Sequence, residues 1–381
     1  MRRIVWINKS DWRKPGPIVY MGLLNALAFA ELDMPTDYFV GAGSDSDTEQ
    51  DLQNFYALPA LPTLQIHRVK QTSSRGRDVY KRAQVQIQDY LEHGDEVIAL
   101  TRELGALTKL FGLRKKFPGL RVLYEAHDYY LNRAHAPKQN FSAWRRQWTE
   151  RLLIPKVDAL ICLTEHQRAL YQQQLTRQPV VALPLGCLNF PRQDAESRRI
   201  KRHVAYIGHL HDYKGSELIF EIAGFLKGKN IRLTCYGGHD KQVGALRDRA
   251  QTQGLDDVLR FQSFVSPAEM HRILECEVSI GLVPLQDTFY SRYLTCPVKI
   301  LDFLSHGLPI IASELPSTRE VLRSSGVYCP SSDPSGFATT IEKLLEDPIC
   351  FSEFSDWSYS RSKPLQWQLR AEKILQCISA K

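Results

Sequence analysis

Residues 297–309 read PVKILDFLSHGLP and continue directly into the apolar run Ile-Ile-Ala-Ser at 310–313. A proline at the first position and a glycine just past the end predict a helix of about two and a half turns. The apolar run after the helix predicts a buried strand. Asp302 is the single acid of this helix.

The start of this helix is suited to an anion. Pro297 has no N–H group, and the amides of the first turn, including those of Val298 and Lys299, point outward at the positive end of the helix dipole. Asp302 lies more than one turn further along, which suits a diphosphate at the helix tip and a ribose hydroxyl at the carboxylate. An ordinary amphipathic helix with one solvated acid explains the same spacing. Other segments of the sequence are needed to distinguish the two interpretations.

Length and composition predict two globular domains. The chain has 381 residues, of which 43% are apolar and 24% are charged. No apolar run is long enough to span a bilayer, and Met1-Arg2-Arg3 leads into a strand rather than a signal peptide, which indicates a cytoplasmic protein. The eight cysteines form no CxxC pair, so reduced thiols are expected rather than disulfides or a zinc site.

The net charge of +7 is concentrated in the first half, where residues 1–190 hold 25 Lys and Arg against 19 Asp and Glu. In the segment 141–156, Trp144 and Trp148 alternate with arginines. Such a helix could rest on anionic lipid at the inner membrane face or grip an acidic acceptor. The simpler interpretation is a solvated helix whose tryptophans face the core. No nucleic-acid-binding module is present, so nucleic acid is not an expected partner.

Strand-like and helical patterns alternate along the whole chain. Continuous β-branched runs with helical crossovers predict parallel sheets covered on both faces. The predicted fold class is α/β, with two doubly wound Rossmann-like domains. We expect an N-terminal domain at 1–190, a polar linker at 191–202, a C-terminal domain at 203–355, and a final helix at 356–381 that crosses back to the first domain.

Ligands of such sheets lie beyond the carboxyl ends of strands, so the turns after strands are informative. The turn at 125–128 reads Glu-Ala-His-Asp and concentrates titratable groups at a strand end. The turns at Gly208 and at Gly237-Gly238 allow a ligand to approach the backbone closely, and so does the Gly16 loop before an apolar helix. Lys214 stands at a helix entry, where a point charge suits phosphate oxygens.

Together these turns resemble the nucleotide-sugar domain of GT-B glycosyltransferases, and most closely the retaining enzymes of glycosyltransferase family 4. The similarity is tight over 203–322 and loose before residue 95. The segments that carry it are Gly208 with Lys214-Gly215, Gly237-Gly238, Pro297 to Ser313, Tyr124 to Asp128, Thr101-Arg102-Glu103 and Leu183 to Gly186.

The resemblance implies two domains facing across a cleft, with the second domain binding a nucleotide-sugar donor of the UDP or GDP type. The donor is a substrate, and neither a metal nor a separate cofactor is implied. Lys214 would hold the diphosphate and stabilise its charge as it departs, and Asp302 would bind the ribose hydroxyls. The residues implied in donor binding are Gly16, Arg102, Gly208, His209, Gly237, Gly238, Pro297, Val298, Lys299 and Asp302.

In the first domain, the resemblance implies that His127 touches the transferred sugar and that Glu125 and Asp128 line the cleft. With Lys214, these residues form the predicted catalytic set. The family's retaining members are thought to let the departing phosphate help deprotonate the acceptor, so His127 is not assigned as a general base. The acceptor would be a glycan, a lipid-linked molecule or a small molecule.

Three positions depart from the family pattern. Leu294 replaces the first of two glutamates and cannot bind a sugar hydroxyl, which leaves the donor sugar open. His209 replaces an arginine and would make diphosphate binding pH-sensitive, and Leu185 replaces an asparagine. A non-catalytic nucleotide-sugar-binding subunit therefore remains an alternative. An epimerase of the same fold is another, because Glu125, His127 and Asp128 could eliminate and re-add the diphosphate. A dinucleotide-dependent oxidoreductase is disfavoured because no GxGxxG follows any strand.

Overall fold

The computed structural model describes residues 1–14, 16–44, 46–73, 75–132, 140–175, 177–210 and 215–379. Lys214, a central residue of the predicted site, lies outside these ranges. The chain divides into two compact units. The first unit comprises 1–185, 293–295 and 367–381, and the second unit comprises 186–292 and 296–366.

The first unit is built on a seven-stranded sheet of order β3-β2-β1-β4-β5-β6-β7, in which every pairing is parallel. Most residues of its central strands are buried, as a parallel sheet requires. The strands are β1 (Arg2–Asp11), β2 (Thr36–Gly41), β3 (Leu64–Val69), β4 (Glu96–Thr101), β5 (Arg121–Ala126), β6 (Ala159–Cys162) and β7 (Val180–Ala182).

Helices separate these strands along the chain. They are α1 (Pro17–Ala30), α2 (Glu49–Tyr56), α3 (Arg77–Glu92), α4 (Leu104–Arg114), α5 (Phe141–Leu153) and α6 (Glu165–Gln172). In α5, Ala143, Gln147, Glu150 and Leu153 are buried, whereas Trp144 and Trp148 are exposed. The interpretation in which these tryptophans face the core is therefore wrong.

The second unit contains a six-stranded parallel sheet of order β10-β9-β8-β11-β12-β13. Strand β8 lies near its middle, hydrogen-bonded to β9 on one side and to β11 on the other. The strands are β8 (His203–Ile207), β9 (Arg232–Tyr236), β10 (Leu259–Gln262), β11 (Ile280–Val283), β12 (Ile310–Ser313) and β13 (Gly326–Cys329).

The later helices are α7 (Ala195–Arg199), α8 (Ser216–Leu226), α9 (Asp240–Thr252), α10 (Pro267–Cys276), α11 (Phe289–Tyr293), α12 (Val298–Ser305), α13 (Pro316–Leu322), α14 (Pro334–Glu346), α15 (Pro348–Ser362) and α16 (Trp367–Ser379). The segment predicted as a linker at 191–202 contains α7, whose N-terminus is capped by the Asp194 side chain, and it belongs to the second unit. The segment predicted as one terminal helix from 356 divides at a 3₁₀ turn over Lys363–Leu365. Only its last part, α16, belongs to the first unit.

Strand order fixes where ligands can approach each unit. In both sheets the chain fills one side and then the other, so the order reverses between β1 and β4 in the first unit and between β8 and β11 in the second. Beyond the carboxyl ends of the strands at such a reversal, an open crevice is available to a ligand. The turn after β8 begins at Gly208, and the turn after β4 contains Arg102.

The position of α12 depends on Gly281 in β11. A Cβ atom built on Gly281 would overlap the ring of Phe303, which is fully buried on α12. Glycine at this point therefore lets the helix lie close to the sheet.

We expect Gly281→Ala to lower the free energy of unfolding of the second unit by about 1–3 kcal/mol, because the added methyl group has no room beneath Phe303. Gly244→Ala is the matched control, since Gly244 lies within α9 and a Cβ added there meets no neighbouring segment within 4 Å. This control should be neutral or stabilising by up to about 1 kcal/mol. Denaturant unfolding measures both, and equal stabilities of the two variants would contradict the prediction.

Candidate functional site

In the second unit, two strand-ending turns meet through their backbones. The Gly208 N–H donates a hydrogen bond to the Tyr236 carbonyl at 2.9 Å. Gly208 and Gly237 have φ angles of 130° and 132°, and a Cβ on Gly237 would overlap the Gly208 carbonyl. Gly238 also has a positive φ, of 124°. A side chain is strained at each of these positions, so the backbone at this sheet edge remains bare.

A lysine from the start of α12 lies beside this bare backbone. The Lys299 Nζ atom is 3.6 Å from the centroid of the Tyr206 ring, in cation–π geometry. A Cβ on Gly208 would lie 3.4 Å from the same Nζ atom. The structure therefore brings a positive charge to the Gly208 turn.

The start of α12 is close to the sequence prediction. The helix begins at Val298, with Pro297 as its N-cap residue, and no side chain caps it. The helix dipole therefore favours an anion at this end.

Asp302 lies on the same helix in half-buried surroundings. Burial raises the pKa of Asp302 to about 7. Within the part of the chain that the structure describes, the Asp302 carboxyl makes no hydrogen bond and no ion pair. An acceptor without a partner in such surroundings is suited to the hydroxyl groups of a ligand.

His209 follows the first glycine of this site. Its carbonyl accepts a hydrogen bond from the Tyr206 hydroxyl at 3.0 Å, and its ring packs edge to face against Phe264 at 5.1 Å. These contacts hold the histidine at the turn after β8, where the family resemblance expects an arginine.

In the first unit, Glu125 is the centre of a buried network at the end of β5. Arg370 of α16 donates to the Glu125 carboxylate at 2.7 Å, and also to the Asn25 side chain and the carbonyls of residues 183–184. Burial by itself would raise the pKa of Glu125, but the Arg370 guanidinium and the His127 hydrogen bond hold it at about 2. Glu125 is therefore ionised at neutral pH.

His127 contacts the same carboxylate. Its Nε2 atom lies 2.6 Å from Glu125 Oε1. Burial and the Arg102 guanidinium lower the pKa of His127, against the opposing effect of Glu125. The imidazole is therefore neutral at pH 7, and because Glu125 can only accept, Nε2 carries the proton. Nδ1 is then a hydrogen-bond acceptor, and no described residue donates to it.

Arg102 and Asp128 complete the predicted group in this unit. Arg102 makes no hydrogen bond or ion pair with any described residue, although its charge acts on His127. Asp128 is bound by Arg146 of α5 at 2.9 Å, and Arg146 lies 3.7 Å from Glu150. The charge of Asp128 is thus paired with that of Arg146, whereas the N–H donors of Arg102 are not used by any described residue.

Gly16 follows β1, on the opposite side of the strand-order reversal from Arg102, which follows β4. It has a φ of 115° and precedes Pro17, the first residue of α1. Asn25 of the same helix accepts from Arg370, so α1 and α16 are joined through the network around Glu125.

The predicted site residues form two groups, one in each unit. Glu125, His127 and Arg102 lie together in the first unit, and Gly208, Gly237 and Lys299 lie together in the second. The roles given to these residues, and to Lys214, stay predictions.

Sequence reasoning missed Arg370 and Asn25, which complete the network around Glu125. Arg370 carried a signal, because it falls on the helix face formed by Trp367, Ala371 and Ile374, all of which are buried. A charged residue on such a face needs an internal partner.

Comparison with known families gives a match to part of the second unit. Residues 201–347 match the family model described as glycosyl transferases group 1. This stretch is similar to that family. The bare glycine turns, Lys299 and Asp302 all lie within the matched stretch.

Relatives and solved structures extend the comparison over the whole chain. D-inositol 3-phosphate glycosyltransferase from Frankia alni is 24% identical over 239 residues, which are 57% of this chain and 57% of that protein. The chain therefore spans little more than half the length of this curated relative. Sucrose-phosphate synthase from Thermosynechococcus elongatus has a TM-score of 0.72 at 17% identity and matches 99% of this chain and 98% of its own.

A third similar structure is a mutant of TarM from S. aureus, in complex with fondaparinux, alpha-GlcNAc-glycerol and UDP. It has a TM-score of 0.74 at 12% identity, with 100% of both chains covered. Together with the two parallel sheets, these matches show that the chain has the GT-B fold.

Metal ligands are not clustered in the ranges that the structure describes, where no three or more His, Cys, Asp or Glu side chains are grouped to hold an ion. The described helices also include none with the length and hydropathy of a membrane span.

We expect Arg370→Met to lower the free energy of unfolding by about 3–5 kcal/mol at pH 7, because it leaves the Glu125 carboxylate buried without its counter-charge. The Glu125 pKa is below that of an unfolded glutamate, so the pair stabilises the fold above about pH 4.5 and loses this effect as the pH falls through 2. The deficit of the variant should therefore shrink in acid.

Two comparisons make this prediction specific. Adding Glu125→Gln to Arg370→Met should recover part of the loss, since no buried charge remains. Arg272→Met removes an exposed arginine that lies 2.6 Å from Glu269 and should cost less than about 1 kcal/mol. Denaturant unfolding of the wild type and the three variants measures these free energies. An Arg370→Met variant as stable as Arg272→Met would refute the prediction.

Proposed function

We infer that this chain transfers a sugar from a nucleoside-diphosphate donor of the UDP or GDP type to an acceptor hydroxyl, with retention of the anomeric configuration and without a metal. The observation that carries the proposal is the arrangement in the stretch that matches glycosyl transferases group 1. Bare glycine backbone and Lys299 lie at the turn after β8, and α12 carries the Asp302 carboxyl, which has no partner among the described residues.

This arrangement suits the leaving group of such a reaction. A departing nucleoside diphosphate needs fixed positive charge and N–H donors at its oxygens more than it needs a protein base. Lys299 and the start of α12 supply part of that charge, and Lys214 is proposed to supply the rest. Asp302 is proposed to accept hydrogen bonds from the ribose hydroxyls.

The first unit contributes His127 to the proposal. Its neutral ring, held through Nε2 by Glu125, presents Nδ1 as an acceptor for a hydroxyl of the transferred sugar. This state favours binding and orientation of the sugar. In the proposed reaction the bond from the anomeric carbon to the phosphate oxygen breaks, the bond to the acceptor oxygen forms on the same face, and the acceptor proton passes to the departing phosphate.

The similar proteins support a donor class and an acceptor class. TarM was solved with UDP and with alpha-GlcNAc-glycerol. The names of the other two proteins specify inositol phosphate and sucrose phosphate chemistry. We therefore propose UDP-sugars as the first donors to test and polyol or sugar hydroxyls as the first acceptors, with glycan and lipid-linked acceptors next.

Leu294 favours one alternative. It is buried and apolar at the position where the family pattern has glutamate, so it offers no acceptor to a donor sugar. A nucleotide-sugar-binding subunit without catalysis would tolerate this change. An epimerase of the same fold would release a changed sugar from the donor without any acceptor, which separates it from both other functions.

The experiment is calorimetric titration with UDP, GDP and ADP, followed by incubation of the tightest nucleotide's sugars with an acceptor panel. Asp302→Asn should weaken nucleotide binding by about 10- to 100-fold, since it removes a charged hydrogen-bond acceptor. Lys214→Ala should reduce transfer, and Asp248→Asn, in an exposed position on α9, should change neither. NMR of the product reports retention, and full activity in EDTA supports the metal-free reaction.

The outcomes separate the candidate functions. Binding with transfer supports the proposal, and an inverted product refutes retention. Binding without transfer to any acceptor favours the subunit, and acceptor-independent change of the donor sugar favours the epimerase. No binding of any nucleotide would refute all three.

We also expect nucleotide affinity to increase with pH around 7. The protonated Asp302 carboxyl is a poorer acceptor, and with its pKa at about 7 the ionised fraction rises from about a tenth at pH 6 to about nine tenths at pH 8. Binding to the ionised form should therefore strengthen several-fold over this range. Because the nucleotide phosphate titrates too, the test is the difference between wild type and Asp302→Asn, and parallel pH profiles for the two would contradict it.

A further inference from the structure

Helix α5 exposes an unbroken row of large apolar side chains. Phe141, Trp144, Trp148 and Leu152 are 74%, 42%, 55% and 62% exposed. Their spacings of three and four residues place them on one face of the helix, over a length of about 16 Å. Isolated exposed hydrophobic residues are common in soluble proteins, but a continuous row of this kind marks an interaction surface. We call these four side chains the aromatic face.

The aromatic rings of this face pack against each other. Phe141 and Trp144 are stacked with ring centroids 5.5 Å apart, and Trp144 and Trp148 meet edge to face at 6.2 Å. Such packing pre-organises the rings as one patch, so a partner would lose little side-chain entropy on binding it.

The opposite side of α5 is fixed to the first unit. Arg146 binds Asp128 and lies over the Tyr130 ring at 4.3 Å, and Gln147 donates to the Leu131 carbonyl at 2.8 Å. Glu150 accepts from the Tyr130 N–H at 3.0 Å. These contacts prevent the helix from rotating to bury its aromatic face.

The surface around the aromatic face is positively charged. Arg114, at the end of α4, donates to the carbonyl of Lys156, just beyond α5, at 2.6 Å, which brings Lys115, Lys116 and Lys156 to one end of the helix. Across 104–120 and 140–156 the only acid is Glu150, and it is buried. Asp158 lies just beyond the second segment, where Arg114 and Arg121 pair with it. The exposed charges of both segments, including Arg145 and Arg151, are therefore all positive.

We propose that the aromatic face of α5 and its surrounding cations dock the protein onto the surface of an anionic lipid bilayer. The aromatic and leucine side chains enter the region between headgroups and acyl chains, and the basic side chains lie against the anionic headgroups. This surface goes beyond the proposed function, because it needs no nucleotide sugar and no acceptor.

Charge decides between this occupant and a second copy of the chain. A symmetric dimer through the aromatic face would place two identical positive surfaces against each other, at an electrostatic cost. Lysine is also depleted at protein interfaces, whereas tryptophan with flanking Lys and Arg is the composition of membrane-interface helices. An anionic bilayer satisfies both the apolar and the charged parts of the surface.

The test is flotation of the full chain with two kinds of vesicle, without nucleotide sugar. One kind is pure phosphatidylcholine, and the other is an equal mixture with phosphatidylglycerol. We expect binding to the mixed vesicles at low salt and release at about 1 M salt, where screening reduces the Debye length to about 3 Å. The combined variant Phe141→Ser, Trp144→Ser, Trp148→Ser should bind at least about tenfold more weakly.

Matched variants distinguish binding through the aromatic face from nonspecific adsorption to vesicles. Trp357→Ser removes a 44% exposed tryptophan from α15 and should leave vesicle binding unchanged. Arg145→Glu with Lys156→Glu should weaken binding to mixed vesicles about tenfold or more. Lys241→Glu with Lys343→Glu, two exposed lysines of the second unit, makes the same change of charge and should have a much smaller effect.

Three results would overturn the proposal. The first is a wild-type protein that stays unbound with mixed vesicles at low salt. The second is equal binding to both vesicle types that salt does not weaken. The third is a dimer in sedimentation velocity that the triple serine variant dissociates, since the occupant would then be a second copy. Thermal unfolding of each variant verifies that it is folded.

Discussion

Parallel strand pairing is the constraint on which the arrangement of this protein depends. Because all strands of a sheet run the same way, every turn that follows a strand emerges at the same edge. The reversal of strand order then opens that edge beside β8 in the second unit and beside β1 in the first. Glycines at these turns leave the edge free of side chains, and Gly281 brings α12 and its Asp302 close to the sheet. Functional residues on short segments that are far apart in the sequence are therefore brought together by the sheet topology alone.

Two carboxylates of the protein show how surroundings assign different tasks to similar groups. Glu125 is deeply buried, yet it stays ionised because Arg370 and His127 are its partners. Its task is internal: it holds the ring of His127 and fixes which nitrogen carries the proton. Asp302 has no partner among the described residues, and its pKa is raised to about 7. A group that loses solvation without gaining an internal partner is a candidate for a ligand contact, whereas a fully paired group is a structural element.

The sequence predicted both parallel sheets, because apolar runs and glycine turns are local signals. It also selected Glu125 with His127, and Gly208 with Lys299, which are neighbours in the structure. No continuous apolar run marks β3, whose sequence Leu-Gln-Ile-His-Arg-Val mixes polar and apolar residues, as an edge strand can. Sequence reasoning missed the Arg370 contact with Glu125, which joins residues 245 apart in sequence. The tryptophans of α5 were placed wrongly because the buried face of that helix holds a glutamine and a glutamate, whose polar partners no hydrophobic pattern reveals.

Helix α5 therefore reverses the usual arrangement of an amphipathic helix. Its polar face packs against the protein, and its aromatic face points toward solvent. Burying a polar helix face is energetically less favourable than burying tryptophans in its place, because each buried donor and acceptor needs a hydrogen-bond partner. The protein meets that requirement with Arg146, which binds Asp128 of the strand-end cluster and also lies near Glu150. The same helix thus supports the turn that follows β5 and presents the aromatic face outward. Stability alone does not explain why buried hydrogen bonds are used to keep tryptophans exposed, whereas a task for those tryptophans at a surface does.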